Sequence, residues 1–284
     1  MKSIAVLTDF SEKSGHAAKY ALHIAKKMKV NVRLYHLQLT PSALYAQPVL
    51  SGQGYPEEPV IDTRLTEFSE ALASDLIKRV FPGSFMPRIS FYAGSADMVD
   101  VMTEIINNSE TAMIVTAPLE SDDLASFMTS DACSRIIDWT TVPVLVVPEH
   151  APIRYIEKMA FATTLDAGDI LSIAELGNLM DGFHAELMVA HLDINPANDN
   201  IKAAEKELNR KLYTDLNCGG VYFRSVPDIK SQKDWEWLKA NKRTDLLAVA
   251  KRPKEQMTSF FKRGQGSHIT HHITIPVMVL PKRP

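Results

Sequence analysis

The feature that most constrains this chain of 284 residues is that its sequence repeats itself once. The segment KMAFATTLDAGD (158–169) repeats SIAVLTDFSEKS (3–14) at a spacing of 155 positions. Toward the end, LLAVAKRP (246–253) repeats MIVTAPLE (113–120), now at a spacing of 133 positions. A period this long indicates a duplicated domain rather than a solenoid of short repeats.

The two spacings differ by 22 residues, so the second copy lacks about that many residues in its middle. We expect them to be missing from the counterpart of the long loop predicted from Thr40 to Asp62. The boundary between the copies falls in the stretch PEHAPIRY, which has the composition of an exposed linker. The sequence therefore predicts a first domain at residues 1–149 and a second domain at residues 154–284.

Within each copy, short apolar runs alternate with segments of helical periodicity. The run from Ile4 to Leu7 is typical of a buried parallel strand. After it, Ala17, Ala21 and Ala25 recur at helical spacing and would let a helix lie close to a sheet. Strands that alternate with helices predict an α/β fold with a parallel sheet. The further elements predicted in the first copy are the strands VNVRLYHLQL, RISFYAG, AMIVTA and VPVLVVP and the helices Asp62–Val80, Met98–Ile106 and Asp131–Trp139.

Composition narrows the class of protein. The net charge of −3 leaves no basic excess for a broad nucleic-acid interface. No stretch approaches the roughly 20 apolar residues of a membrane span, and the first apolar run is too short for a signal peptide, so we expect a cytoplasmic protein without a membrane partner. The two cysteines, Cys133 and Cys218, are too few for a disulfide framework or a zinc pattern and are predicted to be small buried apolar residues.

Both copies resemble universal stress protein domains, and the resemblance covers nearly the whole chain. It rests on a first strand that ends in TDFS, an alanine-rich helix, a second strand that carries HL, the segment FYAGSADMVDVM and the terminal TTVPVLVVP. The resemblance implies two tandem domains, each an open five-stranded parallel sheet of the nucleotide-binding-like, Rossmann-like α/β class. Because members of this family dimerise, it also implies that the two domains pack as an intramolecular pseudo-dimer, largely through their last strands. Many members bind ATP.

The ATP-binding members carry a loop of the form G-x-x-G, nine residues, then G-[ST], before the fourth helix. Glycines at these positions let backbone N–H groups approach phosphate oxygens. An ungapped alignment puts Ala117, Glu120, Ser130 and Asp131 there in the first copy. All three glycines are replaced, and the carboxylates of Glu120 and Asp131 would repel a phosphate. The alternative is that Asp131 is an ordinary N-cap and Glu120 a solvated loop charge.

In the second copy the same alignment gives Ala250, Pro253, Arg263 and Gly264. The glycine pair is again lost, and a proline has no N–H to donate. Gly264 begins the segment GQGSH, which could still form a small backbone cradle for an anion; the alternative is a flexible turn beside a solvated basic face. The basic neighbours are Lys251, Arg252, Lys254 and Lys262.

The resemblance also implies that Thr8 and Asp9, at the end of the first strand, lie beside the adenine and ribose. Asp9 is kept in the first copy, whereas Thr164 replaces it in the second. The alternative is that Asp9 or Ser11 caps the following helix. By motif, neither copy has a complete ATP site.

Histidines are the other candidates for chemistry. His268 and His272 are four residues apart, with His271 between them, but no third ligand with a clear spacing follows, so we expect no metal site. His36 and His191 end equivalent strands, but neither has a nucleophile that could be named as its partner.

We therefore expect a non-catalytic stress-response or regulatory protein with degenerate ATP loops and no cofactor, which acts by binding a protein partner or a small ligand. The alternative is an ATP-binding member with slow ATPase activity, which would use Asp9 and the basic loop of the second copy. Association of two chains into a homodimer is left open.

Overall fold

The computed structural model describes residues 1–38, 58–77, 84–119, 124–193, 199–215, 220–227, 244–261 and 274–281. We call residues 1–149 the first half of the chain and residues 154–284 the second half. The strands of the first half are β1 (Ser3–Thr8), β2 (Asn31–His36), β3 (Ile89–Phe91), β4 (Thr111–Thr116) and β5 (Val144–Val146). Those of the second half are β6 (Lys158–Thr163), β7 (Glu186–Asp193), β8 (Val221–Pro227), β9 (Leu246–Ala250) and β10 (Val277–Leu280).

These strands form one sheet in the order β3-β2-β1-β4-β5-β10-β9-β6-β7-β8. Neighbours are parallel except β5 and β10, which are antiparallel, with Leu145 opposite Met278. In each half the first strand lies between the second and the fourth, so both halves have the same strand order. The predicted fold class is confirmed, and the halves meet through their last strands. The domain boundaries at 149 and 154 stay a prediction.

Eight α-helices accompany the sheet within the described residues. They are α1 (Glu12–Met28), α2 (Glu58–Ile77), α3 (Met98–Asn107), α4 (Leu124–Met128), α5 (Asp131–Trp139), α6 (Asp169–Met180), α7 (Asp199–Asp215) and α8 (Lys254–Phe261). In the parts of the chain that are described, no helix has both the length and the apolar character needed to cross a membrane.

The central strands are apolar because helices cover them. Ile4 and Leu7 of β1 are completely buried, as a strand enclosed on both faces must be. Ala17, Ala21 and Ala25 of α1 are completely buried as well. Side chains this small let α1 lie close to the sheet, as the sequence predicts.

The sequence offered two candidates, Asp9 and Ser11, for the N-cap of α1. The backbone of Ser11 is extended, and its hydroxyl accepts a hydrogen bond from the N–H of Ser14 at 3.2 Å. Asp9 instead accepts from the N–H of Ser11 at 3.0 Å and closes the turn before the helix. Ser11 is therefore the N-cap, and the alternative that Asp9 caps α1 is wrong.

Two connections differ from expectation. Helix α4 lies within the segment predicted to be a loop, and α2 begins at Glu58 rather than at Asp62. The connection from the second strand to the next helix spans residues 37–57 in the first half but only 194–198 in the second. This connection is therefore shorter in the second half; the loss of about 22 residues from it stays a prediction.

The segment between the halves is tied down at both ends. His16 of α1 donates from Nε2 to the carbonyl oxygen of Ala151 at 2.8 Å. Further on, the buried carboxylate of Asp245 accepts hydrogen bonds from the N–H groups of Glu157 and Lys158 and pairs with Arg154. These bonds fix the start of β6 beside the start of β9.

Candidate functional site

The carboxyl ends of β1 and β4 lie side by side in the first half, and those of β6 and β9 do so in the second. The strand order reverses direction at each pair. From β1 the chain continues to β2 on one side, and from β4 it continues to β5 on the other side; β6 and β9 are arranged in the same way with β7 and β10. Open parallel sheets bind ligands at such switch points. We call these two places, with the loops that follow the strands, the first-half site and the second-half site.

Both sites begin with the same tight turn. In the first half the hydroxyl of Thr8 accepts from the N–H of Phe10 at 3.0 Å and lies 3.0 Å from the hydroxyl of Ser14. In the second half Thr163 accepts from the N–H of Leu165 at 2.9 Å. Phe10 and Leu165 have φ angles of 63° and 62°, a left-handed conformation that costs a non-glycine residue about 1–2 kcal/mol. The threonine hydroxyls are thus already engaged in holding a strained turn.

Asp9 is the half-buried carboxylate of the first-half site. Burial raises its pKa, but hydrogen bonds from the side chain and the amide of Ser11 outweigh that effect, and the pKa ends below its ordinary value of 3.8. Asp9 is therefore an anion at neutral pH. At the equivalent position of the second half the amide of Thr164 donates to Asp169 at 3.2 Å, so the carboxylate there comes from a different element.

An aromatic cluster borders Asp9. The ring of Phe10 lies 4.6 Å from the imidazole of His36 and meets the edge of Phe68 at 6.0 Å. The guanidinium of Arg64, from α2, lies 4.2 Å from the centre of the Phe10 ring. His36 donates from Nδ1 to the carbonyl oxygen of Thr8 at 3.0 Å. Burial and the nearby Arg64 charge lower the pKa of His36, so the imidazole is neutral at neutral pH.

The loop after β4 is filled with apolar side chains. The amide of Leu119 donates to the carbonyl of Ala117 at 2.8 Å, so it does not point toward a ligand. The loop and α4 contribute five buried apolar residues: Ala117, Leu119, Leu124, Phe127 and Met128. Where the resemblance implies a phosphate cradle, the described part of the loop is packed like a protein core.

Helix α5 begins directly after this loop. The hydroxyl of Ser130 accepts from the N–H of Cys133 at 3.1 Å, which makes Ser130 the N-cap. The prediction that Asp131 caps this helix is wrong, because Asp131 already has a helical position in the first turn and its side chain is exposed. Cys133 is buried, as predicted, and burial raises the pKa of its thiol to about 12.

In the second half an arginine crosses the switch point. Arg252 lies just beyond Ala250, the buried last residue of β9, and its guanidinium binds the carboxylate of Asp169. The same guanidinium pairs with Asp166 at 3.2 Å. The other oxygen of Asp169 accepts from the hydroxyl of Thr163 at 2.6 Å. The ends of β6 and β9 are therefore bridged by an internal ion pair.

This ion pair is deeply buried. Asp169 is fully buried, and the Arg252 side chain is only 11% exposed. Burial raises the pKa of Asp169 above its ordinary value, and the bonds from Thr163 and Arg252 lower it only in part. A carboxylate in this position depends on its cation, because removing one partner of a buried pair leaves an uncompensated charge.

The basic residues around Arg252 are directed at the first half. The ammonium of Lys251 donates to the carbonyl oxygen of Ile137 at 3.2 Å and pairs with Asp138 at 3.1 Å, at the C-terminal end of α5. Lys254 pairs with Asp131 at the opposite end of the same helix. Positive charge is favourable near a helix C-terminus. The sequence left open whether these lysines flank an anion cradle or form a solvated basic face; in the structure both contact the first half.

The histidines at the ends of the second strands have different partners. His36 donates to a backbone carbonyl of Thr8, whereas Nδ1 of His191 lies 2.9 Å from the carboxylate of Glu205 in α7. The duplication therefore keeps the residue but not its environment.

Several predicted site residues lie outside the described residues: Glu120, Arg263, Gly264, His268, His271 and His272. Among the described residues, no group of three or more histidine, cysteine, aspartate or glutamate side chains could hold a metal ion.

Sequence reasoning missed the ion pair of Arg252 and the contact between Arg64 and Phe10. The first had a signal. At the spacings of the repeat, Asp169 corresponds to Ser14 and Arg252 corresponds to Leu119, so the second copy has opposite charges at two positions where the first copy has none. The contact between Arg64 and Phe10 had no such signal. Because α2 follows a long connection, the sequence does not predict where Arg64 lies relative to β1.

Comparison with known proteins identifies the fold. Solved structures similar to this chain include a universal stress protein from Archaeoglobus fulgidus DSM 4304, with a TM-score of 0.59 and 12% identity over 99% of this chain and 98% of that one. A protein of unknown function from Pseudomonas aeruginosa PAO1 gives a TM-score of 0.53 at 10% identity, covering 99% and 93%. A candidate universal stress protein from P. aeruginosa UCBPP-PA14 gives 0.52 at 10% identity with the same coverage.

These matches show the fold of the chain. The whole chain has the fold of universal stress proteins, at identities low enough that fold is all they share with certainty. No protein-family model matches the sequence, and no curated protein sequence matches it.

Proposed function

We propose that this chain is a non-catalytic stress-response or regulatory protein that does not bind ATP and that acts by binding a protein partner or a small ligand. We propose that it acts in the cytoplasm, without a nucleic-acid or membrane partner. One observation carries the proposal: side chains of the chain itself fill the positions after β4 and β9 where the resemblance implies phosphate loops. They are apolar in the first half and ionic in the second.

In the second-half site, a phosphate could use Arg252 only by taking it from Asp169. Breaking a buried pair costs about 3–5 kcal/mol, because the remaining charge is left uncompensated. Micromolar binding is worth about 8 kcal/mol. An ATP molecule would thus lose roughly half of such an affinity before it made any other contact.

In the first-half site, a phosphate would meet buried apolar side chains. Leu119, in the loop after β4, is buried, and its amide is already bonded to Ala117; Phe127 of the following helix α4 is completely buried. A charged phosphate needs several N–H donors to replace its hydration. In the described part of the loop, the N–H groups of Leu119 and Ser130 are already bonded to Ala117 and Phe127, so these two backbone donors are not available to a phosphate.

Asp9 favours a second candidate function, an ATP-binding protein with slow ATPase activity. It is half-buried, its lowered pKa keeps it ionised, and by resemblance it stands where family members place an aspartate beside the nucleoside. Asp9 alone could orient a nucleoside but could not hold its phosphates, so this function ranks second.

The test is calorimetric titration of the full chain with ATP-Mg, together with mass spectrometry of protein purified without added nucleotide. We expect no saturable binding in the micromolar range and no co-purified nucleotide. Micromolar binding would overturn the proposal. If that binding is lost in Asp9→Ala but kept in the matched surface variant Asp100→Ala, the second candidate function takes its place.

A further inference from the structure

Four side chains gather at the carboxyl ends of β1 and β2 without being used by the ion pairs or the apolar packing described above. Asp9 and Phe10 follow β1, His36 ends β2, and Arg64 reaches over from α2. Phe10 joins them, since its ring lies 4.6 Å from His36 and 4.2 Å from the guanidinium carbon of Arg64. We call these four residues the β1–β2 cluster.

The cluster holds one negative and one positive charge that do not neutralise each other. Within the described residues, neither Asp9 nor Arg64 has an ion-pair partner within 4.0 Å. Both nevertheless act on the same imidazole: the charge of Arg64 lowers the pKa of His36, and that of Asp9 raises it. The geometry agrees: Asp9 follows Thr8, which is paired with His36 in the sheet, and Arg64 and His36 both lie against the ring of Phe10.

His36 adds a hydrogen-bond acceptor of fixed orientation. Its Nδ1 lies 3.0 Å from the carbonyl oxygen of Thr8, and a carbonyl can only accept, so Nδ1 carries the hydrogen. In the neutral ring Nε2 is then an acceptor. The cluster thus combines two acceptors, Asp9 and His36, with one bidentate donor, Arg64, and the ring of Phe10 contacts both His36 and Arg64.

We propose that the β1–β2 cluster binds a small zwitterion of the α-amino acid type. A simple anion is disfavoured by Asp9 and a simple cation by Arg64, whereas a molecule with both charges satisfies both. Its ammonium group would donate to Asp9 and Nε2 of His36, and its carboxylate would accept two hydrogen bonds from Arg64. This inference rests on the proposed function, because it names the small ligand.

The second half lacks this arrangement. Thr164 stands in place of Asp9, Leu165 in place of Phe10, and His191 is bonded to Glu205. We therefore expect one zwitterion per chain, bound in the first half.

The experiment uses the full chain and the free L-amino acids, tested one at a time by saturation-transfer NMR. The amino acid with the strongest signal is then titrated by calorimetry beside its N-acetyl derivative, which lacks the ammonium, and its amide, which lacks the carboxylate. We expect one site per chain and a loss of affinity of about tenfold or more for each derivative. ATP-Mg is titrated in parallel.

Variants then locate the site. Asp9→Asn and Arg64→Gln should each weaken the zwitterion by about tenfold, whereas the matched surface variants Asp100→Asn and Arg88→Gln should not. The inference is overturned if no free amino acid binds, if the derivatives bind as well as the parent, or if Asp9→Asn and Arg64→Gln bind normally. ATP-Mg binding at micromolar concentration would instead overturn the proposed function. Because the derivatives are compared on the unmodified chain, a variant that fails to fold leaves the test intact.

Discussion

The two halves have the same strand order and the same strained turn, but they fill the loop after the fourth strand by different means. In the first half Leu119 of this loop and Phe127 of the helix α4 that follows it are buried as part of the core. In the second half the guanidinium of Arg252 binds Asp169. The same backbone position is thus closed once by burial of apolar surface and once by a buried ion pair.

This difference shows that the two residues at these positions must match each other: both uncharged, as in the first half, or oppositely charged, as in the second. At the spacings of the repeat, Leu119 and Ser14 of the first half correspond to Arg252 and Asp169 of the second. Either pair is consistent by itself. A mixed pair would bury a charge without its partner, which is the costly state for a protein interior. Mixed pairs are therefore the most direct way to test the comparison.

The largest effect is expected from Phe127→Ala in the first half. The Phe127 side chain is completely buried, and truncating a buried phenylalanine costs about 3–5 kcal/mol of the free energy of unfolding. The loss should be the same at low and high salt, because no charge is removed. Urea unfolding at two salt concentrations measures both quantities. Ile106→Ala, on the exposed face of α3, is the control and should change stability by about 0.5 kcal/mol or less. A loss below about 1 kcal/mol for Phe127→Ala would show that α4 is not packed as described.

The next effect is expected from Arg252→Leu, which places the first-half residue in the second half. Asp169 would be left as a buried charge without its cation, and the free energy of unfolding should fall by about 3 kcal/mol at neutral pH. The pKa of Asp169 is already raised by burial and should rise further. Since a group with a raised pKa in the folded state favours folding as it takes up its proton, the loss should shrink as the pH falls toward 3.8. Unfolding measured from neutral to acidic pH checks this profile.

The double variant Arg252→Leu with Asp169→Ser completes the first-half pair and should recover most of the lost stability. The introduced hydroxyl would then face Thr163 as Ser14 faces Thr8. If the double variant is as unstable as Arg252→Leu alone, the two halves are not interchangeable at these positions and the comparison fails.

Much of the fold could be predicted from the sequence because the repeat and the strand pattern are local signals. The strand run from Ile4 to Leu7 and the helix Asp131–Trp139 are found where periodicity put them. Helix α4 was missed, since five residues are too few to show a helical period and its apolar side chains turn inward for tertiary reasons. The meeting of β5 with β10 followed from the family resemblance rather than from periodicity.

The site was less predictable. The sequence shows that alanine stands at positions 117 and 250, where ATP-binding members have glycine. It does not show which side chains lie near those positions in the fold. Arg252 looked like one of several solvated basic residues, and only its position beside Asp169 in space makes it a buried bridge. Arg252 and Asp169 are 83 positions apart, and a contact at that separation cannot be predicted from local sequence patterns.

A smaller effect is expected from Asp9→Asn, which removes the charge that the second half lacks at Thr164. Hydrogen bonds from Ser11 hold the pKa of Asp9 below 3.8 despite burial. A group with a lowered folded pKa stabilises the protein above its unfolded pKa, and this contribution is lost as the pH falls through the folded value. Because Asp9 is only half-buried, the loss in Asp9→Asn should stay below about 1 kcal/mol at neutral pH and vanish in strong acid. A loss that grows on acidification would contradict this assignment.

The smallest effect concerns the contact between the halves at Lys254 and Asp131. The hydrogen bond and the charge of Lys254 lower the pKa of Asp131, with a further contribution from Arg135. In Lys254→Met the pKa of Asp131 should therefore rise toward 3.8, while stability changes little because the pair is exposed to solvent. A carboxyl-carbon NMR titration measures the pKa directly, and high salt should erase most of the difference between the two proteins by screening the pair. Lys206→Met, on the exposed face of α7, is the matched control and should leave Asp131 unchanged. If the pKa of Asp131 is the same with and without Lys254, this lysine does not bind the first half in solution.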